Sequence, residues 1–294
     1  MEIKGDLLTI RTNYGTFVID GVRDKKIAQG LARTTYPNEP LLRVARRFVG
    51  KEDTVLDIGA HIGTFAVPIK AVAGNVIAYE PSPDAFTLLS RNAAENNVSL
   101  QFVNKALGSS KGSGTLLTRN TSNAGANTLV AGGDIPVTTL DDEVAHADFI
   151  KIDVEGMELE VLKGGVRLIE RARPTILFEV NLSQLRAHGA SPRALERFFA
   201  DYGYRLYFPL EQKDGALARV HSATLLTALI APRAWLFWSD SAPFDLLAIP
   251  KERAVPPSIA GFATALGYAI KNNLSVKMHR LRAWLGYPLY GRSH

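Results

Sequence analysis

Two kinds of hydrophobic pattern divide the chain. Over the first fifty residues, short apolar runs at Leu7 to Arg11 and Thr16 to Ile19 flank Asn13-Tyr14-Gly15, which predicts a hairpin, and the spacing from Glu39 to Val49 predicts a helix. This segment reads as a cap ahead of a core. From Asp53 the pattern becomes apolar strand, helical stretch, apolar strand, repeated, which predicts a parallel sheet covered on both faces. The predicted strands are Thr54 to Asp57, Asn75 to Tyr79, Leu100 to Val103, Phe149 to Ile152 and Thr175 to Phe178. Between and after them the spacing predicts helices over Ile62 to Val72, Pro83 to Asn96, Met157 to Ala172 and Pro192 to Tyr202. Ser191 is the N-cap of the last, and Pro192 holds its first helical position.

One stretch departs from the alternation. Between Val103 and Phe149 a Gly, Ser, Thr and Asn-rich segment contains only short β-like runs, Thr115 to Thr118 and Ile135 to Thr138, and predicts an inserted hairpin and loop. Further on, Arg205 to Phe208 and Phe244 to Ile249 predict a last antiparallel pair, joined through a loop that contains Trp235-Leu-Phe-Trp238. Beyond Pro256-Pro257, apolar residues from Ile259 to Leu274 recur at three- and four-residue steps, predicting an amphipathic helix, with a basic helical piece from Val276 to Leu285 after it. The division expected is a cap over 1–50, a sheet domain over 51–252 and a helical extension over 253–294.

Charge sharpens this division. The net charge is +5, yet from Arg253 onward there are six Lys or Arg and no acid, which leaves the first 252 residues at −1. The basicity therefore belongs to the tail, and a near-neutral body argues against bulk nucleic acid as a partner. There is no cysteine, so disulfides, thiolate metal sites and cysteine nucleophiles are excluded. The opening Met-Glu-Ile-Lys-Gly-Asp has neither the basic start nor the apolar run of a signal peptide, and no run approaches about twenty apolar residues. The expectation is a soluble, cytoplasmic protein.

The strongest chemical motif is Asp57-Ile-Gly59-Ala-His61-Ile-Gly63-Thr64, a strand ending in an acid and then a glycine turn into a helix. Glycines let backbone approach a nucleotide-like ligand, and a helix N-terminus offers free amide donors. Gly59-x-x-x-Gly63 is not the G-x-G-x-x-G of a diphosphate cradle, which weighs against an NAD-type oxidoreductase. Glu80 ends the next strand, about twenty residues on, where a carboxylate accepts both hydroxyls of a ribose. A turn suited to an amino-acid tail and a carboxylate suited to ribose together point to S-adenosylmethionine. His61, inside the turn, joins the cofactor-binding set chiefly through its backbone.

A third motif, Asp148-Phe-Ile-Lys-Ile-Asp153-Val-Glu155-Gly-Met-Glu158, taken with the glycine turn and Tyr79-Glu80-Pro81, resembles the FkbM-type methyltransferase family from about Glu39 to Asn181, and more loosely to Pro250. The resemblance implies a Rossmann-like class I methyltransferase sheet, mostly parallel with the last strand reversed. It also implies methyl transfer from S-adenosylmethionine, often to oxygen acceptors on sugars or other small metabolites. By the same resemblance, Asp57, Gly59 and Gly63 line the methionine end, Glu80 holds the ribose, and Asn104 and Ala106 border the adenine. Asp153 faces the sulfonium and the acceptor. Nothing is carried over to 108–147.

A sulfonium methyl needs no acid to activate it, so the protein must align the acceptor oxygen, exclude water and remove the hydroxyl proton. Asp153, Glu155 and Glu179 all lie at carboxyl ends of predicted strands and are the candidate catalytic acids. His188, in a loop before Gly189, is a weaker candidate. The three acids are hard oxygen donors of the kind magnesium takes, but acids in motifs are not coordination, and no metal is assigned. There is no phosphate loop. The acceptor expected is a sugar or other small or carrier-linked hydroxyl compound; a non-catalytic cofactor-binding or interaction module is the alternative. In the tail, Lys277, Arg280 and Arg282 beside Leu281, Trp284 and Leu285 suit packing on the sheet domain, self-association, or an anionic lipid surface or phosphorylated carrier.

Overall fold

The computed structural model describes residues 6–32, 36, 38–118, 127–210, 216–220, 222–223, 243–253 and 255. The Trp235 to Trp238 loop and the two tail helices expected beyond Pro256 lie outside the described residues. Among the described residues no helix is long and apolar enough to cross a membrane.

The N-terminal hairpin forms as predicted, β1 (Leu7–Thr12) against β2 (Gly15–Asp20), with Thr12 opposite Gly15. Two helices follow, α1 (Lys25–Leu31), which the pattern did not predict, and α2 (Glu39–Ala45), shorter than predicted. Next come β3 (Thr54–Ile58), α3 (Ala66–Ile69), β4 (Asn75–Tyr79), α4 (Pro83–Glu95) and β5 (Gln101–Val103). α3 is only four residues, against the helix expected over Ile62 to Val72. His61 and Gly63 hold positive φ, which delays its start, and Pro68 removes an amide from its middle.

Side chains of α4 fix the hairpin on the sheet domain. Asn96 Oδ1 accepts from Thr16 N at 2.8 Å, and Asn92 Oδ1 from Val18 N at 2.6 Å. The Asn92 Nδ2 donates in turn to Val18 O at 3.1 Å and Ile62 O at 2.8 Å. Two amides one helical turn apart thus play the part of a neighbouring strand for β2.

The insertion builds a sheet of its own from β6 (Ala106–Leu107), β7 (Gly112–Thr118), β8 (Asn127–Ala131) and β9 (Ile135–Thr138), in the order β6-β9-β7-β8. α5 (Leu140–Glu143) and β10 (Phe149–Ile152) follow. The single helix predicted over Met157 to Ala172 is two, α6 (Glu158–Lys163) and α7 (Val166–Ala172). The break has a packing cause: a Cβ on Gly164 would strike the Gly108 carbonyl, and one on Gly165 would press on Leu140. Asp141 then caps α7 from outside, accepting from Arg167 N at 3.0 Å and Leu168 N at 2.7 Å.

After β11 (Thr175–Val180) come α8 (Leu182–Ala187), unpredicted, and α9 (Pro192–Asp201), with Ser191 accepting from Ala194 N as expected. β12 (Tyr204–Leu210), β13 (Ala216–Val220) and β14 (Phe244–Pro250) complete the described elements. The main sheet runs β13-β12-β14-β11-β10-β3-β4-β5. The five strands from β5 to β11 are parallel, and β14 enters antiparallel between β11 and β12. This is the Rossmann-like α/β sheet with its last strand reversed. The predicted antiparallel pairing of the last two strands holds, with β13 added outside them. Ile58, Ile152 and Phe178 belong to the core on one face, and Phe65, Phe149 and Leu177 to the core on the other.

Candidate active site

From β3 the chain moves outward to β4 and β5, then returns to lay β10 on the opposite side of β3. A crevice at the carboxyl ends of such strands is where open α/β sheets bind ligands. A cavity of about 360 Å³ lies there, within the roughly 300–1,000 Å³ of small-molecule sites. Its wall includes Gly59, His61, Glu80, Ala106, Asp153, Glu155 and Glu179. Thus seven of the eleven site candidates named from the sequence meet on one surface. Asp57, Gly63 and Asn104 stand behind it.

Gly59 has φ +79, and a side chain there would collide with the Asp153 carbonyl, so the glycine admits β10 as much as any ligand. Gly63, at φ +88, lies against Leu89 of α4. Asn104 donates to Glu80 O at 2.7 Å and to Pro81 O at 3.2 Å, bracing the chain after β4. The turn's amides differ from expectation. Gly59 N and Ala60 N donate to Tyr79 O at 3.0 Å each, Gly63 N to Ala60 O at 2.8 Å, and His61 N to Glu80 Oε2 at 2.8 Å. Four amides of the turn are therefore bonded within the protein, three because the turn folds back on the end of β4 and the fourth within the turn itself.

Glu80 is almost fully buried and takes a second amide, Ser82 N, on Oε1 at 2.8 Å. Burial raises its carboxyl, and the nearby His61 and the two amides only partly oppose this. The His61 ring points to the cap, with Nε2 3.4 Å from Asp24 Oδ1. Burial alone lowers that imidazole, but the Asp24 contact and the charges of Glu80 and Asp153 outweigh it and raise it. The cap is fastened to the same turn by Tyr36 Oη, which donates to Thr64 O at 2.7 Å, and Asn38 Nδ2, which donates to Thr64 Oγ1 at 2.9 Å. Ile27, Gly30 and Asn38 of the cap, and Leu116 and Leu129 of the inserted sheet, close the cavity from two sides. None of these five carries a motif, so only their positions in the fold bring them here.

Acids crowd the opposite end. Glu155 stands at φ +54, its Oε2 accepting from Gln184 Nε2 at 3.1 Å. Glu158, fully buried, accepts from Gly156 N at 3.1 Å and Val154 N at 3.3 Å, and burial pushes its carboxyl up to about 7. Glu179 lies opposite Asp245 across β11 and β14. Burial, and then the charges of Asp153, Asp245, Glu155 and Glu158, push its carboxyl well above the usual range. Among the described residues no group of three or more acids or histidines has the geometry to hold a metal ion. His188 ends α8, away from the cavity wall.

Lys151 is the residue the motifs passed over. It faces Asp57 across the β3–β10 register, with Nζ 3.1 Å from Asp57 Oδ1 and 3.5 Å from Asp153 Oδ2. A lysine inside the otherwise apolar Phe149 to Ile152 run was the available signal, since such a residue is rarely buried unless paired.

Comparison with known proteins gives this geometry a setting. A model described as the FkbM methyltransferase domain matches residues 57–206, half of the chain. The hexuronic acid methyltransferase AglP of Haloferax volcanii is 30% identical over 133 residues, covering 43% of this chain and 55% of that protein. The methyltransferase sdnD of Sordaria araneosa is 30% identical over 153 residues, covering 37% of this chain and 59% of its own. The chain thus spans a little over half the length of these curated relatives. Among solved structures, methyltransferase FkbM of Methylobacillus flagellatus KT is 18% identical with a TM-score of 0.40, over 68% of this chain and 44% of that one.

Proposed function

This chain belongs to the FkbM methyltransferase family, and on that premise we propose that it transfers a methyl group from S-adenosylmethionine to a hydroxyl of a sugar or other small or carrier-linked acceptor. The observation that carries the reading is the polarity of the cavity along its length. At one end Glu80 keeps a second lone pair on each carboxylate oxygen after accepting its two amides, as a ribose diol requires. Tyr79, Ala106 and Leu107 beside it give an apolar wall for a base. At the other end Asp153, Glu155 and Glu179 favour a sulfonium's positive charge. A dinucleotide would find the turn's amides already engaged.

S-adenosylmethionine, when bound, supplies a methyl group that needs no further activation. The chain's own residues then have three tasks: hold the acceptor oxygen in line, keep water out and take up the hydroxyl proton. Glu179 is the proposed base. Its surroundings raise its affinity for a proton, and a base works best when its pKa approaches the working pH. Asp153 faces the reacting centre. The cap and the inserted sheet form the roof that excludes water.

The test is transfer of labelled methyl from S-adenosylmethionine to a panel of free and carrier-linked sugars, beginning with the uronic acids suggested by the Haloferax relative. One acceptor is expected to be labelled, and Glu80→Ala is expected to abolish cofactor binding in calorimetry while the variant still unfolds cooperatively, at a lower temperature because the His61 and Ser82 amides lose their acceptor. No labelled product, or unchanged affinity in the variant, rejects the proposal.

A further inference from the structure

We infer that Lys151 binds the carboxylate at the amino-acid end of S-adenosylmethionine, an assignment that rests on the cofactor reading above. An amino-acid tail brings an ammonium and a carboxylate into the site together, and buried charges must each meet a partner. Acceptors for the ammonium are at hand on the wall, in Asp153 and the Gly59 carbonyl. Four amides of the glycine turn, those of Gly59, Ala60, His61 and Gly63, are spent inside the protein and leave the carboxylate to other donors.

Of the basic side chains on the wall, Lys105 is tied to Glu143 at 2.8 Å on the Glu80 side, and the His61 ring faces Asp24. Lys151 is different. Its Nζ makes one hydrogen bond of ordinary length, to Asp57 Oδ1 at 3.1 Å, while the Gly59 carbonyl and Asp153 Oδ2 stand off at 3.5 Å. An ammonium has three donors, so two are held only loosely and can turn to a ligand carboxylate. The side chain is 6% exposed and its ammonium lies 5.8 Å from the Phe65 ring centre. In such a setting water competes weakly for it.

The rival role is purely structural, neutralising buried Asp57, and calorimetry separates the two. The probes are S-adenosylmethionine and its decarboxylated form, which keeps the sulfonium and the ammonium. The full chain is compared with Asp57→Asn and with Asp57→Asn/Lys151→Met, which removes both buried charges together. Wild type and Asp57→Asn are expected to prefer the carboxylated compound by roughly 10- to 100-fold, the range of a hydrogen bond to a charged group. The double variant is expected to lose that preference while its affinity for the decarboxylated compound stays within about twofold of the Asp57→Asn value. Should the double variant not fold, Asp57→Asn/Lys151→Gln takes its place, with the same loss of preference expected.

Equal losses on both compounds, or a wild-type chain that does not distinguish them, overturn the role of Lys151 and leave the cofactor reading standing. A wild-type chain that binds neither compound overturns both.

Discussion

The carbonyl oxygen of Asp153 occupies the space into which a side chain on Gly59 would project. The two residues end adjacent parallel strands, and the Asp153 amide also donates to Ile58 O at 3.0 Å, so β3 and β10 close on each other where the cavity begins. Gly59→Ala must therefore move backbone as well as adopt an unfavourable positive φ. The expected cost is about 1–3 kcal/mol from the conformation alone, with weaker cofactor binding, read by urea denaturation and calorimetry. An unchanged midpoint and affinity would show that the strands can part at no cost.

Glu179→Gln is expected to separate stability from activity. A carboxyl raised in the folded chain binds its proton more tightly there than when unfolded. Stability therefore falls as pH climbs from the unfolded value of about 4.3 through the raised folded value, and the penalty persists above both. The glutamine variant lacks this penalty, so it should melt higher than wild type at pH 7 and nearly level with it below pH of about 4. Turnover should drop by roughly 100-fold or more, with cofactor affinity held. A variant that melts lower at pH 7, or loses only affinity, removes Glu179 from the role of base.

The contact between His61 and Asp24 predicts a cap whose hold weakens in alkali. Because the imidazole is raised in the folded chain, its contribution is fully present below the unfolded value of about 6.5 and is lost as pH rises through the folded value. Asp24→Asn should accordingly cost about 1–2 kcal/mol at pH 6, and the gap to wild type should narrow at pH 9. Thermal melting across that range decides it, and a gap independent of pH would show that the ring carries no charge there.

Local pattern carried much of the architecture. Alternation of apolar runs with helical spacing fixed the parallel strands from Thr54 to Phe178, and cap chemistry at Ser191-Pro192 fixed the start of α9, because burial on two faces and orphan amides at helix ends impose their demands within a few residues. The motifs at Asp57 to Gly63, Glu80 and Asp153 likewise identified the family and both ends of the cavity. Short elements escaped. α1 and α8 are only seven and six residues long, too short for a periodic pattern to stand out.

What the pattern could not hold is the meeting of residues far apart in the chain. Lys151 reads as one charge in an apolar run until sheet order sets it beside Asp57, ninety-four positions earlier. The amides of Gly59, Ala60 and His61 find their acceptors, Tyr79 and Glu80, only because β4 lies beside the turn. Sequence thus settled which segments become strands and helices, since that depends on neighbours along the chain. Tertiary structure alone settled which charges are paired, which amides are spent and which surfaces roof the cavity, since those depend on strand order and on the side-chain register between strands.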